Sequence, residues 1–249
     1  MSRTIVKRVA EDVAFTGGSL CVMYLLQILL ISIRFSAIMK KTTKKGIGMQ
    51  IYDISQEIFT CAVYPGDPAP AREVLASLDA GDVINLTAFS MCAHNGTHVD
   101  APAHFIAGGK TVDELPLDAT VGMACVISHE GDISAEHAKE MLSMTGNCKK
   151  LLIKGNATLT LKAAHVLADA GIDLFGNESQ TVGPESAPMA VHLCLLGAGV
   201  VLLEGIRLAS VPDGRYLLCA APLNLGGAEG APCRAVLIDI NREWEIDHL

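Results

Sequence analysis

The chain has 249 residues, half of them apolar, and a formal net charge of -8. That length fits one substantial core or two small ones, and the apolar share excludes a disordered chain. The acidic balance excludes a nucleic-acid surface, which needs clustered Lys and Arg; the one basic cluster, Lys40, Lys41, Lys44 and Lys45, precedes the region read below as the working domain.

Taken in chain order, the first feature is a stretch between Asp12 and Arg34 that carries no charge. It approaches the ~20 apolar residues needed to span a bilayer. Its length and the lack of a small-residue cleavage site fit a removed signal peptide poorly. Two readings stand. In one, residues 13–33 are a membrane anchor, and Arg34 with the lysines after it keeps the C-terminal side cytoplasmic. In the other, which we prefer, translation starts at Met39 or Met49 and the segment is not part of the working protein. Residues 1–48 are therefore treated as an extension and residues 49–249 as one domain.

From Met49 onward, runs rich in Val, Ile and Leu predict strands at 50–54, 83–93, 124–128, 150–154, 200–203, 216–221 and 234–240. Ser134 is placed to cap a helix over 135–144. Thr160 is placed to cap one over 161–170, stopped by Gly171. Pro188 suits the first turn of a helix running to about Leu196, with Gly197 and Gly199 ending it. Strands and helices alternate from about 124 to 203, which predicts an α/β fold. The phrase Gly197-Ala198-Gly199 is not a dinucleotide fingerprint, because it follows a helix, precedes a strand and lacks the third glycine. The eight cysteines are scattered with no C-x-x-C pair, which disfavours a zinc ribbon or a thioredoxin-like site and predicts reduced thiols in a cytoplasmic protein.

The chemistry concentrates in residues 94–104. His94, His98, Asp100 and His104 fall within eleven residues, all at even separations, so on an extended chain they share one face. A straight strand would leave His94 and Asp100 ~20 Å apart. Joint binding of one ion therefore requires the chain to fold back, which Gly96 permits and Pro102 stiffens. Imidazole and carboxylate together suit Zn, Mn, Fe or Ni. Asp100, with two oxygens, is the natural bridge if two ions are bound. A coincidental core cluster would need partners for four polar groups at once, so the metal reading leads. His129, His137, His165 and His248 have no such companions and read as surface or structural.

The stretch His94 to Phe105 resembles the H-x-G-T-H-x-D-x-P-x-H-F signature of the cyclase superfamily, which includes bacterial kynurenine formamidases and isatin hydrolases. The likeness extends to Tyr64-Pro65-Gly66-Asp67, to His192 through Leu208, and to Ala221-Pro222-Leu223 through Arg234-Ala235-Val236-Leu237. It implies a single compact domain with a mixed sheet and flanking helices. It implies metal ligation by His94, His98, Asp100, His192 and Glu204, with Asp100 bridging two divalent ions per chain, Zn ahead of Mn. It assigns His104 as proton donor and acceptor, and it implies a homodimer or higher homo-oligomer. The implied reaction is hydrolysis of a small amide of the arylformamidase type, with water activated at the metal attacking the carbonyl. Tyr64 stands where formamidases of the family carry a substrate-contacting Trp, and the only tryptophan, Trp244, lies near the C-terminus. The alternatives are a hydrolase of a cyclic amide, imide or lactone, and a non-enzymatic metal-binding protein on the same fold. The second would be expected to have lost His104, which is present. A serine-hydrolase elbow, G-x-S-x-G, is absent from the sequence.

Overall fold

The computed structural model describes residues 46–47, 49–240 and 243–244. The expected membrane segment 13–33, the alternative start Met39, Cys21 and His248 lie outside the described residues. Among the described residues no helix is long and apolar enough to cross a membrane.

The strands, in chain order, are β1 (Gly46–Ile47), β2 (Gln50–Asp53), β3 (Ala71–Ala76), β4 (Leu86–Ser90), β5 (His98–Asp100), β6 (Val121–Ser128), β7 (Gly131–Ile133), β8 (Lys150–Lys154), β9 (Ala157–Leu159), β10 (Leu174–Asn177), β11 (Val201–Glu204), β12 (Gly214–Cys219), β13 (Gly230–Pro232), β14 (Val236–Asp239) and β15 (Glu243–Trp244). The α-helices are α1 (Leu117–Thr120), α2 (Ala135–Thr145), α3 (Leu161–Asp169) and α4 (Met189–Gly197). Residues 49–240 form one compact unit, and the paired strands β1 and β15 belong to a second.

Nine strands of the larger unit make one sheet in the order β13-β5-β11-β10-β8-β6-β12-β14-β2. Strands β11, β10, β8 and β6 run parallel in the centre. Antiparallel strands extend the sheet on both sides. The sheet is therefore mixed and the fold α/β, as expected.

The central strands read as near-continuous apolar runs because both of their faces are covered. Leu151, Ile153, Phe175 and Leu202 join a core with residues of α2, α3 and α4, among them Met141, Leu167 and Leu195. The alternate residues Leu152, Leu174, Val201 and Leu203 join the core on the other face with Val126, Leu218 and Leu237. Each fully buried side chain of this size contributes about 1.5–3 kcal/mol.

Helix boundaries follow their caps. The Ser134 hydroxyl accepts from His137 N at 3.2 Å, and the Thr160 hydroxyl accepts from Ala163 N at 3.3 Å. The strand expected over 83–93 is shorter, because Gly81 to Asn85 form the turn of a β3–β4 hairpin. Strand β3 carries no alternation that a sequence reading could detect, since nearly all of it is exposed. Strands β10 and β13 are short and fully buried, and Gly230 and Pro232 make β13 read as a turn.

Candidate metal centre

Strand β5 sits between β11 and β13 near one side of the sheet. Its middle residue, Val99, is buried in the core, so His98 and Asp100 point together to the opposite face, the one covered by helices. Register does the rest. Glu204 pairs with His98 across β11, and Gly230 pairs with Asp100 across β13. Helix α4 supplies His192, whose Nε2 lies 3.1 Å from Glu204 Oε1 and 3.8 Å from Asp100 Oδ2.

His94 is not on the strand. The chain turns at Asn95 to Thr97, with Gly96 at φ 65°, and this brings His94 Nδ1 to 2.8 Å from Asp100 Oδ1. The expected fold-back is the observed route. The turn is fastened by Gln180 Nε2 donating to Gly96 O at 3.2 Å, Gly96 N donating to Ala62 O at 3.2 Å, and the Thr97 hydroxyl donating to Gly205 O at 2.8 Å. After Pro102 a short 3-10 turn carries His104 back over the site. The His104 ring stacks on His94 with centroids 4.0 Å apart and planes at 28°.

His98, Asp100, His192 and Glu204 are all buried. Burial opposes charge on Asp100, but the hydrogen bond from His94 and the pairing with His98 outweigh it and hold the carboxyl well below the usual range. Burial also opposes charge on His98, yet Asp100 and Glu204 together push its imidazole up to about 10. His94 and His192 are raised in the same way, against burial, by Asp100 and Glu204 respectively. His104 moves in the opposite direction. Burial lowers it, and the charges of His94 and His192 add to that against the pull of Asp100.

Two buried atoms in this cluster make charge contacts but no hydrogen bond: His98 Nε2 lies 3.4 Å from both Asp100 Oδ1 and Glu204 Oε2, and Asp100 Oδ2 lies 3.8 Å from His192 Nε2. An unpaired buried polar atom is costly, and a cation between them would satisfy both. Ligand atoms of His98, Asp100 and Glu204 lie within 4.8 Å of one another, and so do those of His94, Asp100 and His104. Asp100 belongs to both groups, and the donor set of imidazoles and carboxylates fits a divalent metal ion. Geometry alone puts His104 as near as a ligand would be.

The cluster lies in a cavity of about 490 Å³, within the usual range for small-molecule sites. Tyr64 lines it and donates its hydroxyl to Glu185 O at 3.3 Å. Asp67, Phe105, Gln180, Ser186 and Met189 complete much of the wall. Phe105 lies against His192, with ring centroids 4.7 Å apart.

Sequence reasoning missed Glu229, whose carboxylate lies 3.3 Å from His94 Nε2, together with Gln56 and Gln180, which brace the turn. Glu229 sits beside a Gly-Ala-Pro run with no periodicity, so only the strand register exposes it. His129, His137 and His165 lie apart from the cluster; His165 Nδ1 lies 3.3 Å from the Cys194 thiol.

Comparison with known proteins agrees with this geometry. The Cyclase family model matches residues 52–184. A kynurenine formamidase of Salinibacter ruber is 34% identical over 208 residues, covering 77% of this chain and 98% of its own. A solved "predicted metal-dependent hydrolase" from Bacillus stearothermophilus superposes with a TM-score of 0.66 at 28% identity, covering 77% of this chain and 99% of its own. Isatin hydrolase A from Labrenzia aggregata, at 22% identity and a TM-score of 0.67, covers 78% of this chain and 94% of its own, and shares the fold. The signature segment, the sheet that positions it and these likenesses agree: the chain belongs to the cyclase family.

Proposed function

We propose that this chain is a metal-dependent hydrolase of a small amide, acting on a carbon–nitrogen bond outside peptides in the manner of a kynurenine formamidase. The observation that carries this is the convergence of imidazoles and carboxylates on one buried point, with His98 Nε2 and Asp100 Oδ2 left without a hydrogen-bond partner, at the floor of a small-molecule cavity. His94, His98, Asp100, His192 and Glu204 are the proposed ligands of two divalent ions, zinc first and manganese second, with Asp100 and Glu204 shared. Such ions supply an acidified water and an electrophilic contact for a carbonyl oxygen. The similarity to kynurenine formamidases supports the substrate class.

The chain's own residues do the remainder. Burial keeps His104 neutral near pH 7, so one of its ring nitrogens is free to accept a proton. The imidazolium so formed returns that proton to the leaving nitrogen. The stacked His94 ring holds His104 in place. Phe105 and Met189 give the wall apolar surface, and Tyr64 offers a flat face to an aryl ring.

One observation favours a second reading, a cyclic amide, imide or lactone as substrate. Tyr64 occupies the wall position at which the formamidase pattern has the larger Trp, and its smaller flat face gives a kynurenine-sized ring less stacking area. The test compares kcat/KM for N-formylkynurenine and for cyclic amides, in wild type and Tyr64→Trp. Hydrolysis of formylkynurenine by wild type supports the first reading. Cleavage of cyclic amides alone supports the second, and cleavage of neither class sinks both.

We also propose that residues 49–249 are the catalytic domain, that the protein works in the cytoplasm, and that it self-associates. Free thiols at all seven described cysteines support a reducing compartment. The β3–β4 hairpin supports self-association, because it pairs with no other strand among the described residues and exposes Val74, Leu75, Leu86 and Phe89, with Val83 at 91%. An isolated hairpin is marginal in water, and an exposed apolar patch of this kind marks an interface. Light scattering that finds a monomer at micromolar concentration contradicts this.

A further inference from the structure

The imidazoles that face the two carboxylates each commit their second nitrogen elsewhere. His98 Nδ1 donates to Gly96 O at 3.1 Å, and His192 Nδ1 donates to Pro188 O at 2.9 Å. Main-chain carbonyls thus orient those two rings. His94 differs. Its Nδ1 faces Asp100 Oδ1 at 2.8 Å, and its Nε2 faces Glu229 Oε1 at 3.3 Å.

The location of Glu229 is fixed by the sheet. Its carbonyl accepts from Ala101 N at 2.9 Å, one position from the pairing of Gly230 with Asp100. Gly230 leaves room for the ring, since a Cβ there would lie 2.5 Å from His94 Cε1. The His94 ring is therefore held by a carboxylate at its outer nitrogen, by the stacked His104 ring and by close main-chain approach.

We propose that Glu229 is a positioning residue for the metal centre. Its carboxylate accepts a hydrogen bond from His94 Nε2 and so keeps the proton there, leaving Nδ1, which donates to Asp100 in this structure, as the nitrogen that would give its lone pair to a bound ion. This rests on the reading of His94 as a ligand. An acceptor at one imidazole nitrogen fixes the proton, orients the ring and raises the basicity of the other nitrogen. Charge favours the same arrangement. Two divalent ions bring four positive charges against the two carboxylates Asp100 and Glu204, and Glu229 adds a third negative charge without occupying a ligand position. Its side chain is 46% exposed, so its removal leaves the fold intact.

The test measures zinc affinity of the full chain by competition with a chelator, for wild type, Glu229→Ala and Glu229→Gln. Outer carboxylates of this kind are worth about 10–100-fold in metal affinity. Glu229→Ala is expected to raise the zinc Kd by that factor. Glu229→Gln, whose amide oxygen still accepts a proton, is expected to fall between. Nitrogen-15 spectra of the zinc-loaded protein should show a His94 Nε2–H that is slow to exchange in wild type and fast to exchange in Glu229→Ala. An unchanged zinc Kd in Glu229→Ala overturns the proposal. A wild-type chain that binds no zinc overturns instead the metal-centre reading beneath it.

Discussion

Replacing Gly230 by alanine adds one methyl group at the most crowded point of the site. Gly230 is not among the glycines with left-handed φ, so its backbone accepts alanine without strain. The effect is therefore steric. The new Cβ would lie 2.5 Å from His94 Cε1 and 3.1 Å from both ring nitrogens, whereas ordinary contact begins at 3.4 Å. The ring must retreat by about 1 Å, which carries the 2.8 Å approach of Nδ1 to Asp100 beyond a good hydrogen bond, and the stacked His104 must move with it. A displacement of 1 Å in a catalytic group costs about 100-fold in rate. Gly230→Ala is expected to lower kcat/KM by that order and to weaken zinc binding, with an unchanged far-ultraviolet dichroism spectrum. The informative assay is a double-mutant cycle with His94→Ala, read as zinc affinity. Once the His94 ring is gone the three atoms nearest the extra methyl are gone with it, so the two losses should be strongly non-additive. Wild-type affinity and turnover in Gly230→Ala, or a loss that persists in full in the His94→Ala background, refutes the steric reasoning.

Three further outcomes follow from the same geometry. His104→Ala should keep its metal, measured by elemental analysis, and lose about 10²–10⁴-fold in activity; loss of the metal would make His104 a ligand. Because Asp100 and Glu204 push His98 up to about 10, zinc binding to chelator-treated protein at pH 7 should release protons and tighten as pH rises. The raised His98 stabilises the metal-stripped fold fully below pH 6.5, its unfolded value, and this contribution is lost as pH rises from there to about 10, so the Tm of stripped protein should fall over that window while loaded protein does not follow. Calorimetry in buffers of different ionisation enthalpy that finds no proton release would contradict both statements. A chain starting at Met49 should be soluble and fully active; inactivity of that chain beside an active full-length protein would place function in residues 1–48.

Much of this was legible in the sequence because the functional side chains are packed into short segments with constrained spacing. Even separations put His98 and Asp100 on one face of a strand, and the distance argument required the turn at Gly96 that the structure contains. Strand β8 was readable to the residue, since Lys150–Lys154 is a bounded apolar run. Strand β13 was not, because its Gly and Pro imitate a turn and its place depends on pairing with β5. Strand β3 was hidden because exposure on both faces removes the alternation that marks a half-buried strand. Glu229 was invisible for a related reason: its role comes from register with a strand more than a hundred residues away. His192 and Glu204 each looked ordinary in isolation, and only the family pattern linked them before the 3.1 Å contact did.

The central claim is that one side of the sheet holds a metal centre built by His94, His98, Asp100, His192 and Glu204. The most direct measurement is anomalous diffraction at the zinc absorption edge from crystals of zinc-loaded protein. Two peaks about 3.5–4 Å apart, bounded by those five side chains with Asp100 between them, are the predicted result. Fully loaded crystals with no anomalous peak at these residues, or with zinc held elsewhere on the chain, would contradict the account.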